Sequence, residues 1–327
     1  MLRHSHSKID QFKTCPKKYD YQYNQDLNPI EDSIHLAVGK LTHSAIEARL
    51  KFQDPQPYYD EFAGLVRKGL LPHCTEKTLE RVIQWHTNYY AEEDKGREYI
   101  MVEHKFEEIL NEEEKDPNKQ EIFSGMVDSV FTKPDTYFYL EDHKTTINKL
   151  KYEEADVRLN RQLHKYAKVL QKDFFININY LIIDEIVIRE LDQVPLLQSG
   201  KPTKDTKQLS FVLHEDYMDM LEMLGLEKDQ AYQGAIAYLK DRGHPLFRRT
   251  IVELNENMMN NIVEEYEVAI NAIKGENFYR VKSPLCNYCP FKEICTMELQ
   301  GGFDDYVKEL KEKNFKPKES EDDEEFK

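Results

Sequence analysis

The stretch TYFYLEDHKTT, residues 136–146, decides how this chain reads. Tyr137, Phe138, Tyr139 and Leu140 form a short aromatic-rich apolar run, the pattern of a buried β-strand. The run leads straight into Asp142, His143 and Lys144. Side chains alternate along a strand, so Asp142 and Lys144 share one face and His143 takes the other. A carboxylate and an ammonium side by side at the end of a core strand make either a salt bridge or a ligand beside a catalytic lysine.

The neighbouring sequence supplies partners for that strand. EYIMVEHKFEEIL (98–110) and EIFSGMVDSVFT (121–132) read as two preceding strands, joined by the turn-rich NEEEKDPNK and KPD. A helix is expected over 152–174 and a further strand over 175–190. Helices are expected from a cap at Ser5 or Ser7 to Cys15-Pro16, at 34–52, in YYDEFAGLVRKGL and TEKTLERVIQWHTNYYAEED, and over about 214–241 and 253–275. Helices, a three-strand meander, a helix, a strand and more helices make an α/β or α+β core with helical additions.

Asp128, in GMVDSVF, lies on the strand before Asp142. Antiparallel neighbours sit about 5 Å apart, so in the right register the two carboxylates can share one metal ion. Lys144 would then stand beside them, able to hold a water or offset charge on an attacked phosphate. Gly125 has no side chain and permits a close approach. Gln162 and Tyr166 are four apart on the next helix and share a face. His43, on the 34–52 helix, is a candidate third ligand. The plain alternative is a buried ion-pair network on a sheet.

The 327 residues suffice for a sizeable core, and 40% hydrophobic with 32% charged residues is ordinary for a globular protein. No apolar run is long enough to span a bilayer, and MLRHSHSKID lacks a signal-peptide core, so a soluble cytoplasmic protein is expected. A net charge of −16 argues against a protein that coats nucleic acid, although a local basic groove suffices for an enzyme that holds phosphates. The acidic end FKPKESEDDEEFK, residues 315–327, is expected to be a disordered tail beyond a single domain of 1–314 whose core is about 98–190. Basic stretches in RLNRQLHKYAKVLQK, at 200–207 and around Arg248 and Arg249 read as either groove or solvated face. Tyr19, Tyr21 and Tyr23 read as core packing ahead of base stacking.

Taken in order, GKLTH, GMVD, EDHK and QLHKY resemble the successive motifs of the PD-(D/E)xK nuclease superfamily, in particular its RecB-like, AddB-like exonuclease branch. The resemblance implies a restriction-endonuclease-like α/β core, a small mixed sheet flanked by helices. It implies His43 and Asp128 as metal ligands, Asp142 and Lys144 as the acid and lysine of the (D/E)xK pair, and the His143 backbone carbonyl as a further ligand. Gln162 and Tyr166 become the Q-x-x-x-Y motif near the substrate. Asp142 stands where Glu is commoner and has a shorter reach.

Of the five cysteines, SPLCNYCPFKEIC supplies Cys286, Cys289 and Cys295, spaced C-x2-C-x5-C. Three close thiolates want a fourth ligand, in a zinc site as in a cubane cluster. Cys15, in FKTCPKKYDY, would close the set, while Cys74 reads as a small apolar residue. The one-plus-three arrangement resembles the 4Fe–4S staple of the AddB-like nucleases, joining N- and C-terminal helical parts, with zinc the other occupant.

The expectation is a Mg²⁺- or Mn²⁺-dependent deoxyribonuclease, an exonuclease of recombination, repair or phage DNA metabolism. Histidine ligation suits Mn²⁺ better than Mg²⁺. No Walker A pattern is present, so a helicase or recombination partner would be a separate chain. The competing readings are a non-catalytic DNA-binding or scaffold subunit that keeps the fold and staple, and a redox iron–sulfur protein.

Overall fold

The computed structural model describes residues 2–30, 33–301 and 303–317. Its centre is a six-stranded mixed sheet. Strands β1 (Leu2–His4), β2 (Asn28–Pro29), β3 (Glu98–Ile109), β4 (Glu121–Thr132) and β5 (Phe138–Thr146) are followed by β6 (Ile178–Val187), β7 (Phe247–Glu253) and β8 (Phe315–Lys316). The short β2 and β8 form a separate antiparallel pair. In the main sheet β3, β4 and β5 are antiparallel neighbours, β5 and β6 run parallel, and β7 returns antiparallel to β6. The parallel β5–β6 step needs a crossover, and the helix Arg161–Asp173 supplies it.

β6, INYLIIDEIV, is buried almost end to end, as a central strand covered on both faces must be. On one face Ile9, Phe12, Leu163, Leu170, Ile262 and Tyr266 pack from three helices, His6–Thr14, Arg161–Asp173 and Glu256–Lys274. On the other, Val38, Leu41, Phe62, Leu79 and Val82 pack from Ile34–Leu50, Gln56–Arg67 and Thr78–Tyr89. The sheet carrying residues 136–146 thus has helices on both faces. A smaller cluster of Tyr21, Phe291, Ile294, Val307, Leu310 and Phe315 packs N-terminal chain against C-terminal chain.

Several boundaries differ from the sequence expectation. The 152–174 helix is two, Glu154–Arg158 and Arg161–Asp173, because Asn160 leaves helical geometry and its side chain accepts from the Leu163 N–H at 2.9 Å. The 214–241 helix breaks near Gly225, whose φ of 65° favours glycine. β1 and β7 were not foreseen, the first for its brevity and the second because Arg248 and Arg249 made it look like a surface. Phe315 and Lys316, assigned to the tail, pair with Pro29 and Asn28; the rest of the expected disordered tail, residues 318–327, lies outside the described residues.

One strand residue carries a pH liability. His4 is fully buried on β1, and neither ring nitrogen has a hydrogen-bond partner within the described residues. Burial pushes its pKa down to about 4, and His244 is held at about 4 by burial and then by the Arg242 charge. An unfolded histidine takes up its proton near pH 6.5, before these two do, so stability drains away as pH falls from there towards 4. Denaturant titrations across that window should show the loss, and His4→Leu should make it shallower. An unchanged pH slope in His4→Leu would remove His4 from the cause.

Candidate active site

The site begins where two strands part. β3 pairs with β4 from Glu98↔Thr132 to Ile109↔Ile122, so β1 and β5 must share the other edge of β4. β1 takes residues 121–123 of that edge and β5 takes 129–132. Pairing with β5 stops at Ser129↔Glu141, one step before Asp128 would face Asp142. The backbone N–H of His143, freed from the ladder, donates to Asp128 Oδ2 at 2.7 Å. The carboxylate thus occupies the notch and satisfies a donor that burial would otherwise leave costly.

On the Arg161–Asp173 side of β5, Lys144 Nζ donates to Asp142 Oδ1 at 3.0 Å and to Gln162 Oε1 at 3.1 Å, with Asp142 Oδ2 at 2.7 Å. Burial works against the ammonium, but Asp142 beside it holds the Lys144 pKa above its ordinary value. Tyr166, hydrogen-bonded to Gln162, is pushed up to about 12 by burial and then by the Asp142 charge. Its ring is core, meeting Phe106 edge-on at 5.0 Å. Gly125 is what lets that ring in. A Cβ there would stand 2.6 Å from Phe106 and 2.8 Å from the Tyr166 ring and hydroxyl. The approach that Gly125 permits is therefore by aromatic side chains of the protein. Gly39 acts similarly, since a Cβ would lie 3.3 Å from Thr145 Oγ1; it seats the His43 helix on β5.

Beside the notch, His43 Nδ1 lies 3.6 Å from Asp128 Oδ2 and 3.4 Å from Glu103 Oε1. One ligand atom from each of the three lies within 4.8 Å of the others, a spacing that one divalent cation can draw together. The donor set, two carboxylates and an imidazole, fits a hard cation with some affinity for nitrogen. Asp128 is raised to about 6, by burial first and then by the Asp142 charge, as expected of two carboxylates buried close together. Burial disfavours the charged form of His43, but its hydrogen bond to Glu103 and the Asp128 charge raise its pKa.

Glu103 was missed by the sequence reading. It lies in β3 among other acids, and only its backbone sets it apart, with φ at 45° inside a strand. That left-handed conformation costs a non-glycine residue about 1–3 kcal/mol. No sequence pattern announces it. Of the expected ligands, His43 and Asp128 are brought together, and Asp142 sits with Lys144 close enough to Asp128 for its charge to be felt. The His143 group seen to reach Asp128 is the N–H.

The opposite face of β5 holds a buried ionic network. Arg97 Nη1 donates to both Glu141 oxygens at 3.0 Å, and Ser129 donates to Glu141 at 3.0 Å. Arg249 donates to Asp184 at 2.9 Å and to Asp94 at 2.6 Å, and its side chain is 2% exposed. Arg248, one residue earlier on β7, takes the Lys144 face instead and pairs there with Glu185, the register neighbour of Lys144. Arg249 is thus neither groove nor solvated face. His143 lies 3.6 Å from Asp184; burial opposes its charge, but Asp184 and Glu141 push its pKa up to about 9.

Cys15, Cys286, Cys289 and Cys295 are all half-buried. Cys289 and Cys295 pack beside Tyr21 and Phe291, and burial followed by nearby charges, those of Cys15 and Cys286 among them, shifts the Cys289 thiol upward. Among the described residues no three cysteine sulfurs lie within 4.8 Å of one another. Tyr19 and Tyr21 are core residues, as expected.

A family model, the PD-(D/E)XK nuclease superfamily, matches residues 3–296. With that span matched, the chain belongs to the PD-(D/E)XK nuclease superfamily, and its activity class is that of a hydrolytic nuclease. A crystal structure of a candidate exonuclease from Eubacterium rectale is similar at 11% identity, over 87% of this chain and 86% of that one, with a TM-score of 0.42. The crystal structure of SSO0001 is similar at 12% identity, over 88% of this chain and 92% of that one, with a TM-score of 0.30. No curated protein matches the chain.

The Gly125–Tyr166 contact can be tested directly. Gly125→Ala must displace an aromatic ring and should destabilise the fold by about 1–3 kcal/mol. Nuclease activity should fall more than the melting temperature suggests, because Gln162 and Lys144 shift with the ring. Tyr166→Ala should cost about 3–5 kcal/mol as a core cavity, whereas Tyr166→Phe keeps the packing and loses only the tie to Gln162. Equal thermal losses in the Ala and Phe variants would contradict this division.

Proposed function

We propose that the protein is a Mg²⁺- or Mn²⁺-dependent deoxyribonuclease of the RecB-like, AddB-like branch, acting as an exonuclease on DNA ends. The observation that carries this reading is the notch itself. A candidate cation site of His43, Glu103 and Asp128 adjoins the Asp142–Lys144–Gln162 chain at one break in the sheet. Bound there, a divalent cation would supply Lewis-acid activation of water and stabilise charge on the attacked phosphate. The chain's own residues do the rest. Asp128 is fixed by the His143 N–H, and Asp142, paired with Lys144, is close enough for its charge to act on Asp128. Lys144, kept protonated by Asp142 and aimed by Gln162, is placed to orient the water or donate to a phosphate oxygen. A role in recombination, repair or phage DNA metabolism, inside the cell and with any helicase on a separate chain, belongs to this same reading. None of the described helices is long and apolar enough to cross a membrane.

The same reading assigns Cys15, Cys286, Cys289 and Cys295 to a structural 4Fe–4S cluster. Two observations support it. Cys289 lies within electrostatic reach of both Cys15 and Cys286, and N- and C-terminal chain already pack together beside Cys289 and Cys295. Tetrahedral zinc, with Zn–S bonds of about 2.3 Å, would hold its sulfurs under about 4 Å apart, whereas a cubane holds them around a larger body.

End-labelled single- and double-stranded DNA, incubated with Mg²⁺, Mn²⁺ or EDTA, tests the activity. Cleavage should need the cation, and Asp128→Asn, Asp142→Asn and Lys144→Ala should each lower it at least about 100-fold with folding intact. Wild-type rates in Asp142→Asn would show the site to be misassigned; cation-independent DNA binding without cleavage by the wild type would favour the scaffold reading. For the cysteines, anaerobically purified protein should be brown, with about four irons and four sulfides per chain. Cys15→Ala should lose the colour as fully as Cys289→Ala, and Cys74→Ala should keep it. Colourless protein holding one zinc would replace the cluster but leave the staple.

A further inference from the structure

A groove of about 380 Å³ opens on the Lys144 side of the sheet. Lys144 and Gln162 line one wall; His6, Asp10, Gln11 and Lys18, from the N-terminal helices, line the other. His6 begins the helix His6–Thr14, whose N-cap, Ser5, accepts from the Lys8 N–H at 3.3 Å. His6 Nδ1 lies 2.5 Å from the Tyr266 hydroxyl. Tyr266 is fully buried in the core, so the imidazole hangs from a fixed anchor. The other ring nitrogen, Nε2, makes no hydrogen bond among the described residues, though the ring is close enough to Lys144 and Asp142 to feel both charges.

We propose that His6 contacts the substrate, with Nε2–H donating to a phosphate oxygen of the nucleic acid across the groove from Lys144. This rests on the nuclease reading and extends it to a residue that none of the recognised motifs contains. A buried phenol satisfies its hydrogen by donating, here to Nδ1, which puts the ring proton on Nε2. Burial pushes the His6 pKa down to about 4, so at neutral pH the ring is an uncharged donor that does not repel Lys144. The phosphate would then be held from two walls, by an ammonium on the sheet and an N–H on the N-terminal helix. Tyr266 acts through His6 as a positioning residue.

The test compares His6→Phe, which keeps the ring's bulk without its nitrogens, and Tyr266→Phe, which removes only the anchoring oxygen. Cleavage of a labelled oligonucleotide with Mn²⁺ gives KM and kcat, and fluorescence anisotropy in EDTA gives binding without cleavage. Loss of a hydrogen bond to a charged group should raise KM and the anisotropy Kd about tenfold in His6→Phe. Tyr266→Phe should produce a smaller rise, and melting temperatures should hold in both. Wild-type KM and Kd in both variants would overturn the role of His6. If His6→Phe does not fold, Tyr266→Phe decides alone, since its ring still fills the core. A wild-type protein that neither binds nor cuts DNA would instead overturn the nuclease reading, which separates the two failures.

Discussion

The structure depends on one hydrogen bond at a break in the sheet, from the His143 N–H to the Asp128 carboxylate at 2.7 Å. β4 and β5 pair normally as far as Ser129↔Glu141 and then separate. Parting two buried strands exposes backbone donors that must find new partners. Asp128 takes one of them, which fixes the carboxylate at the mouth of the opening. With its charge also next to Asp142, the group is costly to keep ionised, and a cation is the natural compensation. His43 and Glu103 stand where such an ion could reach them.

Strand alternation then divides the labour of EDHK between two faces. Asp142 and Lys144 look towards Gln162, Tyr166 and the groove. Glu141 and His143 look back into a network with Arg97, Asp184, His86 and Arg249. Asp142 and Lys144 form the ion pair that the opening stretch suggested, and a second ionic network lies back to back with it on the same strand. Buried charges of this kind are costly to leave unpaired, so the back network locks the register of β5, β6 and β7 beneath the site. A one-residue slip would exchange the faces and carry Lys144 into the network.

The two motif glycines are tolerances for packing. Gly39 lets the His43 helix settle on Thr145, and Gly125 admits the Tyr166 ring against β4. The first brings the His43 helix to the strand of Asp142 and Lys144, and the second brings the Gln162 helix to the neighbouring strand of Asp128. Neither contact is visible as a local pattern; each is a statement about how closely two separate elements approach.

What the chain declared by itself was local. The aromatic-rich apolar run in 136–146 and the strand-like pattern of 121–132 placed Asp142, Lys144 and Asp128 on strands, and four-residue spacing placed Gln162 and Tyr166 on one helical face. The order of the short motifs named the superfamily. What only the tertiary structure decided was nonlocal. Glu103 joined His43 and Asp128 because β3 covers β4 with one residue in a left-handed conformation. Arg249 went inside because β7, unreadable as a strand, pairs with β6 and carries that guanidinium to Asp184. Periodicity reports which face a side chain takes on its own element. It holds no information about which other element meets that face, because that is set by packing, register and charge pairing between segments far apart in the chain.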